Sequence, residues 1–154
     1  MNNVTIIPFA PKYANDFRKI SYEWLEKYVT VLPEDEELLQ DPQGAIIDQG
    51  GFIFFAKYEQ HIVGTVSILK VDHDTVELAK LGVTEDYKGL KIGKALMEYS
   101  IQKAIELNMK RMILYTNENL ETALRMYEKY GFKKVSGQIS KYIETDFKME
   151  LHLC

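Results

Sequence analysis

Cysteine is almost missing from this chain: one in 154 residues, Cys154, at the last position. No disulfide can close within it, which excludes the disulfide-stapled secreted scaffolds and suits a reducing compartment. Long apolar runs are missing too; none approaches the roughly 20 residues that span a bilayer, so no membrane partner is expected. The start, "MNNVTIIPFAPK", lacks a basic stretch followed by an apolar one. No secretory signal is expected there, and the expected location is cytoplasmic. Positive charge is in short supply, with 19 Lys and Arg against 23 Asp and Glu, a net charge of −4. A nucleic-acid binder would carry a basic footprint, so no nucleic acid is expected as a partner. Linkers, repeats and low-complexity segments are lacking as well. What is present is globular: 46% apolar and 27% charged residues, in a length that makes one compact domain with its own core. We read residues 1–154 as a single domain.

The hydrophobic periods divide that domain. "VTIIPF" (4–9) reads as a first strand, with Pro8 placing it at an edge or ending it. Residues 12–28 carry Phe17, Ile20, Trp24 and Tyr28 at helical spacing. "PEDEELLQ" (33–40) begins with proline and acids, which suit a helix's first turn. "DPQGAIIDQGG" (41–51) reads as a loop. Then 51–59 and 61–71 form a hairpin, "DHDT" (72–75) a turn, and 76–83 a further strand. From Gly93 to Asn108 the period is helical again, with Leu96, Met97, Ile101, Ala104 and Ile105 on one face. A buried-type strand (111–117) and a second helix (119–132) follow, with Gly131 placed to cap the helix in the left-handed conformation. "GFKKVSG" and 147–153 read as closing strands around an irregular 137–146 segment. The order βααβββαβαββ has hairpins first and crossovers later. It implies an α/β (α+β) fold with a mixed, mostly antiparallel central sheet flanked by helices.

"EDYKGLKIGKALM" (85–97) has the form of an anion-binding turn opening a helix. Free N–H groups at a helix start carry partial positive charge. Lys88, Lys91 and Lys94 gather there too, where cations oppose the helix dipole unless an anion offsets them. The mononucleotide P-loop pattern fails. Gly89 and Gly93 stand one residue too close, and Ala95 replaces the hydroxyl that would hold magnesium. The dinucleotide G-x-G-x-x-G is absent. "KGLKIG" (88–93) instead resembles the [Q/R]-x-x-G-x-[G/A] pyrophosphate loop of the GNAT N-acetyltransferases. "NENLETALRMYEKYGF" (117–132) is similar to a later motif of that family, an Asn followed by Ala, Tyr and Gly-Phe. The element order matches the family's fold over nearly the whole chain. Two features depart: Lys88 stands at the Arg/Gln position and Lys91 where glycine is usual. Lysine at position 91 is tolerable with φ below zero and its side chain outward. It then either leans away from the pyrophosphate or adds a contact.

The resemblance implies a GNAT-like fold, acetyl-CoA as cosubstrate, an amine as second substrate, and transfer of acetyl between them with no metal. It leaves a homodimer open. The implied cofactor contacts are Lys88, Gly89, Leu90, Lys91, Ile92, Gly93 and Lys94 for the phosphates, and Leu81, Gly82 and Val83 for pantetheine. Asn117 and Asn119 either join them or cap the helix, with capping the better account of Asn119. Gly82 reads as the mark of a β-bulge, or as relief of crowding where strand becomes loop. Glu77, eleven residues ahead of Lys88 and flanked by Val76 and Leu78, is the candidate base for the acceptor ammonium. The bland alternative is a solvent-facing strand glutamate. Tyr127 matches the family's general acid for the departing thiolate, although it also lies on its helix's apolar stripe.

Three more clusters have simpler accounts. "DHDT" is turn chemistry before it is a metal site. "EDEE" (34–37) is an acidic first helical turn. Tyr22, Trp24, Tyr28 and Tyr142 are candidates to line an acceptor pocket, with core as the alternative. The expected function is acetyl transfer from acetyl-CoA to a small-molecule primary amine. The alternatives are a protein or peptide acceptor, or a non-catalytic acyl-CoA sensor. The acceptor would be chosen by residues 12–50 and 136–146, which carry no recognisable signature.

Overall fold

A computed structural model describes residues 3–28, 33–118, 120–135 and 147–153. Asn119, Tyr142 and Cys154, the side chains of Tyr28 and Phe147, and the whole irregular 137–146 segment lie outside the described residues. Among the described residues seven strands form one sheet: β1 (Val4–Pro8), β2 (Phe52–Tyr58), β3 (His61–Lys70), β4 (Thr75–Val83), β5 (Arg111–Thr116), β6 (Lys133–Lys134) and β7 (Phe147–His152). Their spatial order is β1-β2-β3-β4-β5-β7-β6. Every neighbouring pair is antiparallel except β4 with β5. Four helices complete the order expected from sequence: α1 (Ala14–Tyr28), α2 (Pro33–Gln40), α3 (Ile92–Glu106) and α4 (Glu121–Lys129). Pro8, which has no N–H to give a neighbour, sits on the edge strand β1.

Strand alternation sends side chains to two cores. On one face Phe54, Val66, Ile68, Val76, Leu78, Met112 and Leu114 pack with Ile92, Leu96, Met97 and Ala104 of α3. On the other, Ile53 and Phe55 pack with Phe17 and Leu25 of α1 and Leu39 of α2. The helical stripe of α1 therefore runs through Phe17, Ile20, Ser21 and Leu25, with Trp24 half-buried beside it. α4 contributes no fully buried residue. It ends at Gly131, whose φ of +101° lets the Phe132 N–H return 3.0 Å to the Tyr127 carbonyl.

Three local expectations are corrected. Residues 41–51 are not all loop: Gln43–Ile47 form a single π-helical turn, started by Asp41, whose carboxylate accepts the Gly44 N–H at 3.0 Å. Ile105 faces solvent, 43% exposed, because α3 ends one residue later and its buried face is Leu96, Met97, Ser100 and Ala104. The bulge in β4 is not at Gly82. Thr65 pairs with Gly82 but Ser67 pairs with Ala79, so the extra residue falls at Lys80–Leu81, and Lys80 has φ +53°. Nor does Gly82 relieve crowding: a Cβ there would meet Trp24 Cβ on α1 at 3.4 Å, an ordinary van der Waals contact.

Candidate active site

The parallel β4–β5 ladder is short. It joins Thr75, Val76 and Glu77 to Arg111, Met112 and Ile113 and goes no further. Beyond that point β4 stays with β3 up to Val83, and β5 stays with β7 up to Thr116. The two strands fork, and the main-chain groups of Leu78–Val83 on the β5 side have no ladder partner there. The bulge at Lys80–Leu81 bends β4 within this stretch, which contains Leu81, Gly82 and Val83. Such a fork exposes backbone donors and acceptors to a guest along the cleft.

Glu77 stands at the vertex. It is 2% exposed, so it is no solvent-facing strand residue. Its register partner on β3, Leu69, packs on the α1–α2 side, while Val76 and Leu78 pack on the α3 side. The carboxylate therefore belongs to the α1–α2 face. On that face Lys80 forms a buried ion pair with Asp35 of α2, at 13% and 10% side-chain exposure. The Tyr22 hydroxyl donates to Glu36 at 2.7 Å and accepts from the Gln40 amide at 3.0 Å. The Glu36 carboxylate is the main reason the Tyr22 phenol is pushed up from its ordinary value. The "EDEE" run thus does more than open a helix, since two of its acids fasten α2 to β4 and α1.

At the far end of the fork lies the glycine turn. A 3-10 turn (Glu85–Tyr87) leads through extended Lys88 to Gly89 at φ +87°, Leu90, and Lys91 at the N-cap of α3. Lys91 has φ +62° and ψ +26°, which corrects the expectation of negative φ. A left-handed residue followed by right-handed Ile92 turns successive N–H groups to one side, the nest geometry that receives anions. Among the described residues no side chain caps this helix start. A Cβ on Gly89 would meet nothing within 4 Å, so the approach to the turn is open. Lys88 is held by Glu85 at 3.0 Å, and Glu85 also pairs with Lys27 of α1 at 3.0 Å. Lys88 is therefore bound into a local network, whereas Lys91 is exposed.

Tyr127 comes from the other face. It is half-buried on α4 against the α3-side core, its ring edge-on to Phe132 at 5.9 Å. Burial pushes its phenol up to about 12. It keeps its proton at neutral pH, as an acid must before it acts. Asn117 follows β5 directly and its carbonyl accepts the Leu120 N–H at 3.2 Å; α4 has Leu120 at its N-cap. "DHDT" is a turn, with the Asp72 carboxylate accepting the N–H groups of Asp74 and Thr75 at 2.9 Å. Among the described residues no three His, Cys, Asp or Glu gather to hold a metal ion, and no helix is long and apolar enough to cross a membrane. Sequence reasoning missed the Asp35–Lys80 pair, which joins residues far apart in the chain.

The site is thus a forked β4–β5 pair in a mixed sheet, with an uncapped helix start at one end and a buried carboxylate at the other. The acetyltransferase (GNAT) family matches residues 15–132, and the chain belongs to that family and is an acyltransferase. An uncharacterised N-acetyltransferase of Mycobacterium tuberculosis H37Rv is 31% identical over 117 residues, 73% of this chain and 70% of that one. An uncharacterised N-acetyltransferase of Schizosaccharomyces pombe is 28% identical over 148 residues, 93% and 90% of the two chains. The fold matches a GNAT acetyltransferase from Staphylococcus aureus Mu50 with a TM-score of 0.88 at 22% identity, over 98% of this chain and 99% of that one. It also matches a Salmonella typhimurium acetyltransferase solved with its cofactor acetyl-CoA, TM-score 0.78 at 16% identity, over 99% and 95%.

Proposed function

We propose that the chain is one catalytic domain, acting in the cytoplasm, that moves the acetyl group of acetyl-CoA directly to the primary amine of a small molecule. The observation that carries this is Glu77, buried at the vertex of the β4–β5 fork whose other end is the Gly89–Gly93 turn. When bound, acetyl-CoA supplies the activated acetyl thioester. The residues present suit it: the turn's open approach and nest for the pyrophosphate, and the unladdered backbone of Leu81–Val83 for the pantetheine.

Glu77 accepts a proton from the acceptor ammonium, which frees the lone pair for attack on the thioester carbonyl carbon. The C–S bond breaks, and Tyr127 gives its phenolic proton to the sulfur. The proton shed by the new amide nitrogen restores the phenol through solvent. The ties of α2 to β4 and α1 through Asp35, Glu36 and Gln40 hold α2 firmly on the Glu77 side of the sheet, and that support is our reason for preferring a small amine to a peptide laid in a groove.

The test is turnover of acetyl-CoA with a panel of small amines and of amine-bearing peptides. Glu77→Gln and Tyr127→Phe should each lower kcat by about 10²- to 10⁴-fold, the usual contribution of a placed acid or base. Wild-type rates in both variants would remove the assigned roles. Turnover of peptides alone would move the acceptor to a protein.

A further inference from the structure

Glu85 is the first residue of the 3-10 turn that leads into the glycine turn, and the Thr84 side chain before it makes no capping bond. The acceptor for its N–H comes from 62 residues away: Glu23 Oε2 on α1 takes that N–H at 3.1 Å. The capping role that a neighbouring Ser, Thr or Asp usually fills is filled here by another element.

Ile20 heads a stripe of α1 that continues through Glu23, Trp24 and Lys27, three, four and seven residues on. The apolar members lie against Gly82, where a Cβ would meet Trp24 Cβ at 3.4 Å and Ile20 Cγ2 at 3.7 Å. The charged members reach Glu85, three residues further along the chain. Lys27 pairs with its carboxylate at 3.0 Å, and Glu23 holds its main chain. One helix face thus bears both on the stretch proposed for pantetheine and on the corner before the phosphates' turn. The same corner is tied to the sheet by the Thr84 N–H, which donates to the Val63 carbonyl at 2.9 Å, and by the Tyr87 ring, 5.5 Å from that of Tyr58. From Lys88 to Lys91 the chain is exposed, so the corner before it and α3 after it govern its course.

The two α1 contacts differ in weight. The Lys27–Glu85 pair has 50% and 39% side-chain exposure, and exposed ion pairs contribute little. A backbone N–H given to a carboxylate is the stronger and more directional tie. We infer that Glu23 is a positioning residue for acetyl-CoA: acting through the Glu85 main chain, it sets the glycine turn before the phosphates arrive. A turn already set loses less freedom on binding, so the ligand is held more tightly. The inference rests on the proposed cleft taking acetyl-CoA.

The experiment compares wild type with Glu23→Ala, Glu23→Gln and Lys27→Ala. Amide exchange in the free proteins reads the bond itself: the Glu85 N–H should exchange about 5- to 10-fold faster in Glu23→Ala. Calorimetric titration reads its consequence: acetyl-CoA should bind about 3- to 10-fold more weakly to Glu23→Ala. Glu23→Gln, whose amide oxygen still accepts the N–H, should stay within about 2-fold of wild type. Lys27→Ala should also stay within about 2-fold. With an amine that the wild type acetylates, Glu23→Ala should raise KM for acetyl-CoA more than it lowers kcat. Unchanged affinity in Glu23→Ala overturns the inference. So does an equal loss in Glu23→Gln or in Lys27→Ala, which would assign the effect to charge and not to the bond. If the wild type itself binds no acetyl-CoA, the cleft reading falls and the inference falls with it; wild-type binding with an unaltered Glu23→Ala faults the inference alone.

Discussion

Replacing Lys91 with glycine separates the fold's interest from the ligand's. Lys91 holds φ +62° at the N-cap of α3. The left-handed conformation costs an L-residue roughly 1–2 kcal/mol, and glycine gives back about 0.5–1 kcal/mol in lost chain entropy. Removing a cation from a helix N-terminus adds about 0.3–1 kcal/mol in the same direction. The free protein should therefore gain about 1 kcal/mol, a rise in Tm of roughly 2–4 °C for a chain of this size. Binding should move the other way. An exposed lysine beside a phosphate is worth about 0.3–1 kcal/mol, so acetyl-CoA should bind about 2- to 5-fold more weakly to Lys91→Gly. Lys91→Ala is the control, since it removes the same charge but keeps the strain. The assays are thermal melts of the free proteins and calorimetric titration with acetyl-CoA. A melt in which alanine stabilises as much as glycine would refute the strain argument. An unchanged affinity would show that the Lys91 amine leans away from the phosphates.

Other outcomes follow from the ties around the site. Asp35→Asn leaves Lys80 buried without its carboxylate and should cost about 3–5 kcal/mol in denaturant unfolding, whereas the pair Asp35→Leu with Lys80→Met should recover most of it. The Tyr130 hydroxyl, at the C-cap of α4, donates to Glu98 of α3 at 2.7 Å, and the partly buried residues of α4 depend in part on that tie. Tyr130→Phe should lower Tm by a few degrees and lower kcat more than it raises KM, because Tyr127 rides on the loosened helix. The Tyr127 phenol is about 12 in the fold against 10 when free, so the fold prefers its protonated form. Its contribution to stability is whole below pH 10 and is lost as pH rises from 10 through 12; Tyr127→Phe should flatten that part of the stability–pH curve.

The order of elements along the chain was legible from composition and period. Runs rich in aromatic and β-branched residues between turns marked β2 to β4, and the 3.6-residue stripes marked α1, α3 and α4. The turn at 85–97 and Tyr127 were legible as motifs. What escaped was set by tertiary contact. Lys91 adopts a glycine-like φ because the chain must turn from the Gly89 loop into α3, and a side chain's intrinsic preference is too weak to prevent it. The bulge lies at Lys80–Leu81 and not at Gly82, where Lys80 reaches across to Asp35 on α2. That contact has no local signature in the sequence. The burial of Glu77 was foreshadowed only by its apolar neighbours; its place at the vertex comes from where the β4–β5 ladder stops.

Under the proposed function the forked cleft and its glycine turn hold a phosphorylated acyl thioester. Calorimetric titration of the wild-type protein with acetyl-CoA, and in parallel with S-acetylpantetheine, which keeps the thioester and lacks the phosphates, tests it most directly. The account predicts clear binding of acetyl-CoA that collapses when the phosphates are gone. Equal binding of the two would contradict the anion nest at Lys88–Lys94, and binding of neither would contradict the acetyl-CoA cleft itself.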